Sequence, residues 1–252
     1  MFARPQTRRH AWVLPILILS ALVAAQSVFT YSDLKGDLSI RSKDGQGTML
    51  EDGYRFDLKG SVTVSSKSRR FTLQANQVQA NIGKGASSTS PNELKTAKAS
   101  GNVSITQTAP GKSSTLQSNS ATYTAKGTKS LVQVTGSVRL KNTDAGKREV
   151  LTATGSSGSA TLNPSSARGL EQATLNGPVK VEIIQSGTQA SRVVFTGGKM
   201  TFAGSTVTLT GNVKATGSGA SRFGNLSNVD SLTVHLNDKG EMTRFSFKSG
   251  GA

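Results

Sequence analysis

The chain has 252 residues, no cysteine, and a formal net charge of +16. The absence of cysteine excludes a disulfide framework, a zinc–thiolate site and a cysteine nucleophile. A hydrophobic share of 35%, with 27 glycines, suits many short strands and tight turns better than helices.

The first 25 residues read as an address. Arg4, Arg8, Arg9 and His10 form a basic start, and Ala11 to Ala25 is apolar except for Pro15 and Ser20. Val23-Ala24-Ala25 then offers the small residues a signal peptidase accepts. The apolar stretch is short for a spanning helix, which needs roughly 20 residues. Val28, Phe29 and Tyr31 extend it, so a cleaved signal peptide and a retained anchor both remain open. Either way the basic end stays inside and the remainder lies outside the cytoplasm.

The body that follows is basic. Six of the 14 acids (Asp33, Asp37, Asp44, Glu51, Asp52 and Asp57) precede residue 58. A field of that sign attracts polyanions: nucleic acid, anionic lipid headgroups or anionic glycolipid. The plain alternative is a charge that serves solubility.

An internal repeat runs from about residue 34 to residue 249 and predicts one domain. Its unit is a strand with alternating apolar residues and a glycine at the centre. Leu34, Gly36, Leu38 and Ile40 open the series. Phe56, Leu58, Gly60, Val62 and Val64 follow, then Ala97, Ala99, Gly101, Val103 and Ile105. Val132, Val134, Gly136, Val138 and Leu140 form the clearest copy, and Ala173, Leu175, Gly177, Val179 and Val181 the next. Val207, Leu209, Gly211, Val213 and Ala215 close the set. The six glycines are 24, 41, 35, 41 and 34 residues apart, which suggests loops of two lengths on opposite edges. A glycine in the dry phase of a strand marks a bend. These six are read as creases where a strand passes from one sheet to another.

Each crease strand is followed by a return strand whose phase slips by one residue. The slips fall at Asn76-Gln77, Asn119-Ser120, Gly198-Lys199 and Asp230-Ser231, residue types that tolerate a bulge. Leu151 to Leu162 is the weakest return strand. Loops are expected at 83–91, 109–112, 143–147, 163–167, 186–190 and 216–221. Phe245 and Phe247 form the last strand. No segment after residue 31 has helical periodicity. The expected fold is all-β, an antiparallel stack of about six strand-and-return repeats, with a β-solenoid as the alternative.

Catalytic constellations are sparse. His235 lies in the wet phase, and a serine triad would have to join it to Asp230 or Asp238. No paired-histidine metal motif and no phosphate-binding glycine loop before a helix is present, and neither metal nor cofactor is expected. Paired carboxylates on a β scaffold could act on a polysaccharide, but Glu93, Glu149 and Glu171 are placed in loops or wet phases. Lys67, Arg69 and Arg70 form a basic turn that could hold phosphate groups or simply be solvated. Nucleic acid is not expected as a partner, because aromatic residues are not interleaved with the basic ones.

Val207-Thr208-Leu209-Thr210-Gly211-Asn212-Val213 with Val229-Asp230-Ser231-Leu232-Thr233-Val234 resembles the repeat of OstA-like domains. Those domains form the periplasmic lipopolysaccharide-transport proteins of the LptA and LptC type. Thr135-Gly136-Ser137-Val138 with Asn119-Ser120-Ala121-Thr122-Tyr123 is similar, as is Ser100-Gly101-Asn102-Val103 with Ala75-Asn76-Gln77-Val78. The resemblance implies an open antiparallel β-jellyroll stack in the periplasm, built from about six repeats, that carries an anionic glycolipid in a groove between its sheets. That groove would be lined by Phe56, Leu58, Val62, Val64, Val103, Ile105, Tyr123, Val134, Val138, Leu140, Val179, Val181, Val207, Leu209 and Val213. It also implies partners of the same jellyroll type. Exposed strand edges near Leu34–Ile40 and Phe245–Phe247 further predict head-to-tail self-association. A structural or adhesive surface repeat is the alternative function.

Overall fold

The computed structural model describes residues 28–87, 90–144, 148–185, 191–219 and 225–249. The expected leader, residues 1–25, and the loop at 186–190 lie outside the described residues. So do the central residues of the loop at 143–147.

Fourteen strands form one antiparallel sheet. They are β1 (Phe29–Ser32), β2 (Leu38–Ser42), β3 (Asp44–Leu50), β4 (Gly53–Ser66), β5 (Phe71–Ser87), β6 (Ser90–Ala109) and β7 (Lys112–Lys126). The second half holds β8 (Lys129–Thr143), β9 (Glu149–Leu162), β10 (Leu170–Gln185), β11 (Ser191–Ala203), β12 (Thr206–Gly219), β13 (Leu226–Leu236) and β14 (Met242–Lys248). Nearly every strand pairs with its sequence neighbour; β2 and β3 both pair with β4. The antiparallel order rules out the solenoid, whose rungs would be parallel.

The sheet is folded over along a line through the middle of its long strands. Gly60, Gly101, Gly136, Gly177 and Gly211 sit on that line with φ between 72° and 88°. In four cases the next residue is left-handed too: Ser61, Asn102, Ser137 and Asn212, at φ 49–51°. Each pair bulges against one residue of the next strand, so that Ser100 pairs with Ser120 and Val103 with Ser118 around Asn119. The four expected phase slips coincide with these bulges. Alternation is restored on both sides of each bulge, so both halves of a strand turn their apolar residues to the same dry side. One half of each long strand, β4 to β13, contributes to a first leaf and the other to a second, while β1 and β2 lie on the first and β3 and β14 on the second. The apolar core lies between the leaves, from Leu38 and Ile40 at one end to Val234 and Leu236 at the other.

Several expectations change. Gly36 is not a crease. It lies in the turn between β1 and β2, where its N–H bonds Asp33 O at 3.0 Å, and Leu34 is 97% exposed. The first crease falls instead at Lys43, between β2 and β3, with Lys43 N bonded to Gly60 O at 2.8 Å. Together β2 and β3 act as one return strand along β4. The segment at 83–91 is mostly strand rather than loop, because β5 and β6 extend to Ser87 and from Ser90. Similarly, β12 continues to Gly219, into the expected loop. The long glycine intervals do not reflect loops on opposite edges. The long β5–β6 hairpin and the 163–169 loop, which lengthen them, both belong to the second leaf.

Candidate functional site

The site suggested by the sequence is the space between the leaves. Val62, Val64, Val103, Ile105, Val138, Leu140, Val179, Val181 and Val213 come from the first leaf, and Phe56, Leu58, Tyr123, Val134, Val207 and Leu209 from the second. All fifteen are buried. They therefore share one apolar interior, and in this structure that interior is closed and filled by their own side chains.

The interior is graded. Next to the crease the first leaf places valines beside small residues: Val103 pairs with Ser118, Val138 with Gly155 and Val179 with Gly197. Farther out stand bulkier groups, among them Phe195, Phe202 and Tyr123. Polar groups gather at the seam, where the two rims meet opposite the crease. Gln107, Ser114, Asn142 and Ser130 are buried there. Among the described residues, Ser42 and Ser118 bring buried hydroxyls close to the crease, and each donates to a carbonyl two residues on, Asp44 O and Ser120 O.

Two arginines close the seam. Arg69, in the turn after β4, reaches across to the second leaf. It donates to Lys129 O at 3.1 Å, Ser130 Oγ at 3.3 Å and Gly127 O at 2.5 Å, and forms an ion pair with Glu93. Gln107 Nε2 in turn donates to the carbonyls of Arg69 and Arg70. Arg168, in the 163–169 loop, donates to Asn237 O at 2.6 Å, while Ser114 Oγ of the first leaf donates to Arg168 O at 2.8 Å. Burial pulls the Arg168 guanidinium below its usual range, a shift partly offset by Asp238. Of the basic turn read from the sequence, Lys67 and Arg70 remain on the surface, whereas Arg69 is committed to the seam and is not available to an external phosphate.

Tyr123 also spans the seam. Its ring lies 4.7 Å from that of Phe71 on the opposite leaf, and its hydroxyl is 2.7 Å from Ser130 Oγ. Burial raises the phenol, against the Ser130 bond and the nearby Arg69 charge. A raised acid ionises first in the unfolded chain, so stability falls as pH rises above about 10, the ordinary tyrosine value. The loss levels off once the pH passes the folded value. Urea unfolding across this alkaline range should show that decline, and Tyr123→Phe should flatten it while losing about 1 kcal/mol at neutral pH from the missing hydrogen bond. An alkaline slope unchanged in the variant would assign the decline to other groups.

An aromatic cluster closes the N-terminal end. Phe29 and Tyr31 of β1 meet Tyr54 and Phe56 of β4, with Tyr31 and Phe56 centroids 5.0 Å apart. Asn92 Nδ2 donates to Tyr31 Oη at 3.1 Å. At the other end, Phe245 and Phe247 of β14 are 41% and 52% exposed.

The catalytic candidates are not assembled. His235 Nδ1 lies 3.3 Å from Thr206 Oγ1, and no carboxylate among the described residues bonds its ring. Glu93 corrects its sequence reading: it is a buried strand residue held by Arg69 and Lys95. Glu171 lies on β10 rather than in a loop and is drawn below the usual carboxylate range by its bond from Lys129. Glu149 begins β9. No cluster of metal-ligating side chains occurs among the described residues.

Sequence reasoning missed the seam. Its only signal was that acids are rare in the body of the chain, which makes an isolated Glu93 a candidate partner for a buried cation. No family model matches this chain, and no curated protein or solved structure matches it.

Proposed function

We propose that the protein carries the acyl chains of an anionic glycolipid between its leaves, as a non-catalytic bridge in the cell envelope. One observation carries this reading: a single apolar interior runs through the whole folded sheet, with its buried polar groups gathered mainly at the seam. An amphipathic cargo needs that gradient, with its chains toward the crease and its head at the rim. Burying one methylene is worth about 0.8 kcal/mol, so a 14-carbon chain gains roughly 10 kcal/mol. A row of near-identical sites lets such a chain advance without a deep trap. Val62, Val103, Val138, Val179 and Val213 occupy equivalent buried places on alternate strands. Because the interior is closed, entry requires the leaves to part at the Arg69 and Arg168 seam, with the crease as hinge. The leader, the charge and the OstA-like resemblance support a periplasmic setting.

Partners of the same jellyroll type fit the sheet's free edges. The N-terminal edges are β1 on one leaf and β3 on the other; β2, within the expected Leu34–Ile40 edge, is covered by β1. The far edge includes β14, as expected from Phe245 and Phe247. Asp44, Glu51 and Asp52 lie at β3, and Arg244 and Lys248 on β14. This polarity suits head-to-tail addition of strands, including self-association.

The closed packing equally fits a structural or adhesive surface repeat. A photo-reactive residue at Val138 or Val179 separates the two. In protein recovered from its own envelope it should crosslink to lipid, while one at the outward Arg139 or Lys180 should not. Labelling at both phases alike, or at neither, would leave the structural reading.

A further inference from the structure

The outer side of the crease changes character near the C-terminal half. Where a return strand crosses it, Asn76, Asn119, Ser156 and Asp230 each place a polar side chain against a crease pair, but β11 places Gly198 there. Asn76 and Asn119 cover their glycines closely: a Cβ added to Gly101 or Gly136 would stand 3.0 Å from the asparagine Cβ. Over β11 no side chain plays that part: Ser156 covers Gly177 from β9, but the atoms nearest a Cβ at Gly211 belong to the backbone of Gly198, 3.4 Å away. A depression of about 670 Å³ opens there, floored by Gly177, Gly197, Gly198 and Gly211.

Its walls are cationic. Lys180 and Lys214 line it from the two outer strands, and both pair in register with Thr196 on the strand between them. Two strand spacings put them about 10 Å apart. Lys199 follows Gly198 on the other side of the crease. None of these three lysines has an ion-pair partner among the described residues, whereas Arg55, Lys95, Lys129 and Arg192 each do. No carboxylate belongs to the lining. Glu182, two residues beyond Lys180, is held by Arg192 at 2.7 Å, and Asp230 faces the Gly211–Asn212 pair from β13.

We propose that this depression binds the phosphate group of a phosphate ester. Ammonium groups act on phosphate as point charges, and the four glycines, set among Pro178, Thr196 and Asn212, let an anion approach the backbone closely. The left-handed Gly211 and Asn212, at φ 83° and 49°, put one such stretch of backbone in the lining. The site lies on the outer face of the crease, so it goes beyond acyl carriage in the interior and does not depend on it.

The test is a titration of the full chain with pyrophosphate and with vesicles of phosphatidylglycerol in phosphatidylcholine, read by amide shifts and by co-sedimentation. Two variants are compared. Lys180→Gln with Lys214→Gln removes charge. Gly198→Asn fills the depression at unchanged charge, and the atom nearest its Cβ would be Thr210 O at 3.5 Å, an ordinary van der Waals contact, so the fold tolerates it. Saturable pyrophosphate shifts at Gly197, Gly198 and Gly211 are expected, weakened at least tenfold by both variants. Loss in both variants with pyrophosphate alone assigns a soluble phosphate ester. Loss in both with anionic vesicles assigns a lipid headgroup. Binding that survives Gly198→Asn overturns the proposal in favour of a diffuse basic surface, and binding that survives the lysine variant overturns it as well.

Discussion

Replacing Gly136 by valine is expected to destabilise the protein by about 2–5 kcal/mol. Gly136 holds φ 76° at the crease, a conformation that costs a side-chain-bearing residue roughly 1–2 kcal/mol. A Cβ there would also press on Asn119, 2.8 Å from its Nδ2 and 3.0 Å from its Cβ. Overpacking of that kind adds about 1–3 kcal/mol. Gly127 is the control. It too is left-handed, at φ 56°, but nothing lies within 4 Å of its Cβ position. Gly127→Val should therefore lose only the conformational part. Equal losses in urea unfolding would show that the crease adds nothing to the backbone penalty, and that the leaves do not rely on a close approach at this line.

Phe195→Ala is expected to cost about 3–5 kcal/mol, the usual range for deleting a buried phenyl ring. Phe195 is fully buried on the first leaf, paired in register with Val181 and Ala215. Its removal leaves a cavity lined by apolar groups, which stays dry and accepts an apolar guest. The same variant therefore bears on function. If acyl chains enter between the leaves, a long-chain fatty acid should stabilise Phe195→Ala more than the parent, in proportion to its occupancy. A variant that loses stability but gains nothing from the fatty acid would show an interior that stays shut to lipid.

Much of this fold is legible in the sequence because alternation and bulges are local. Val132, Val134, Val138 and Leu140 declare a dry face within one strand. Asn119-Ser120 declares where the neighbouring strand slips, and the leaf that each half joins follows from that. The first crease was not legible, because Lys43 stands there without a glycine and β3 has no dry face to alternate, being an exposed edge. Arg69 and Arg168 were not legible either. Gly127 lies 58 residues from Arg69, and only folding the sheet onto itself brings their rims together; Asn237 lies 69 residues from Arg168 and reaches it along one rim, through the order of the strands between them. The bare crease at Gly198 belongs to the same class. The sequence marks a glycine where other repeats carry asparagine, serine or aspartate, but Lys180 and Lys214 meet only through the pairing of three strands. Periodicity by itself determined which side chains face inward. The tertiary structure alone decided what closes over them, because contact across the seam depends on the fold of the whole sheet and not on any one strand.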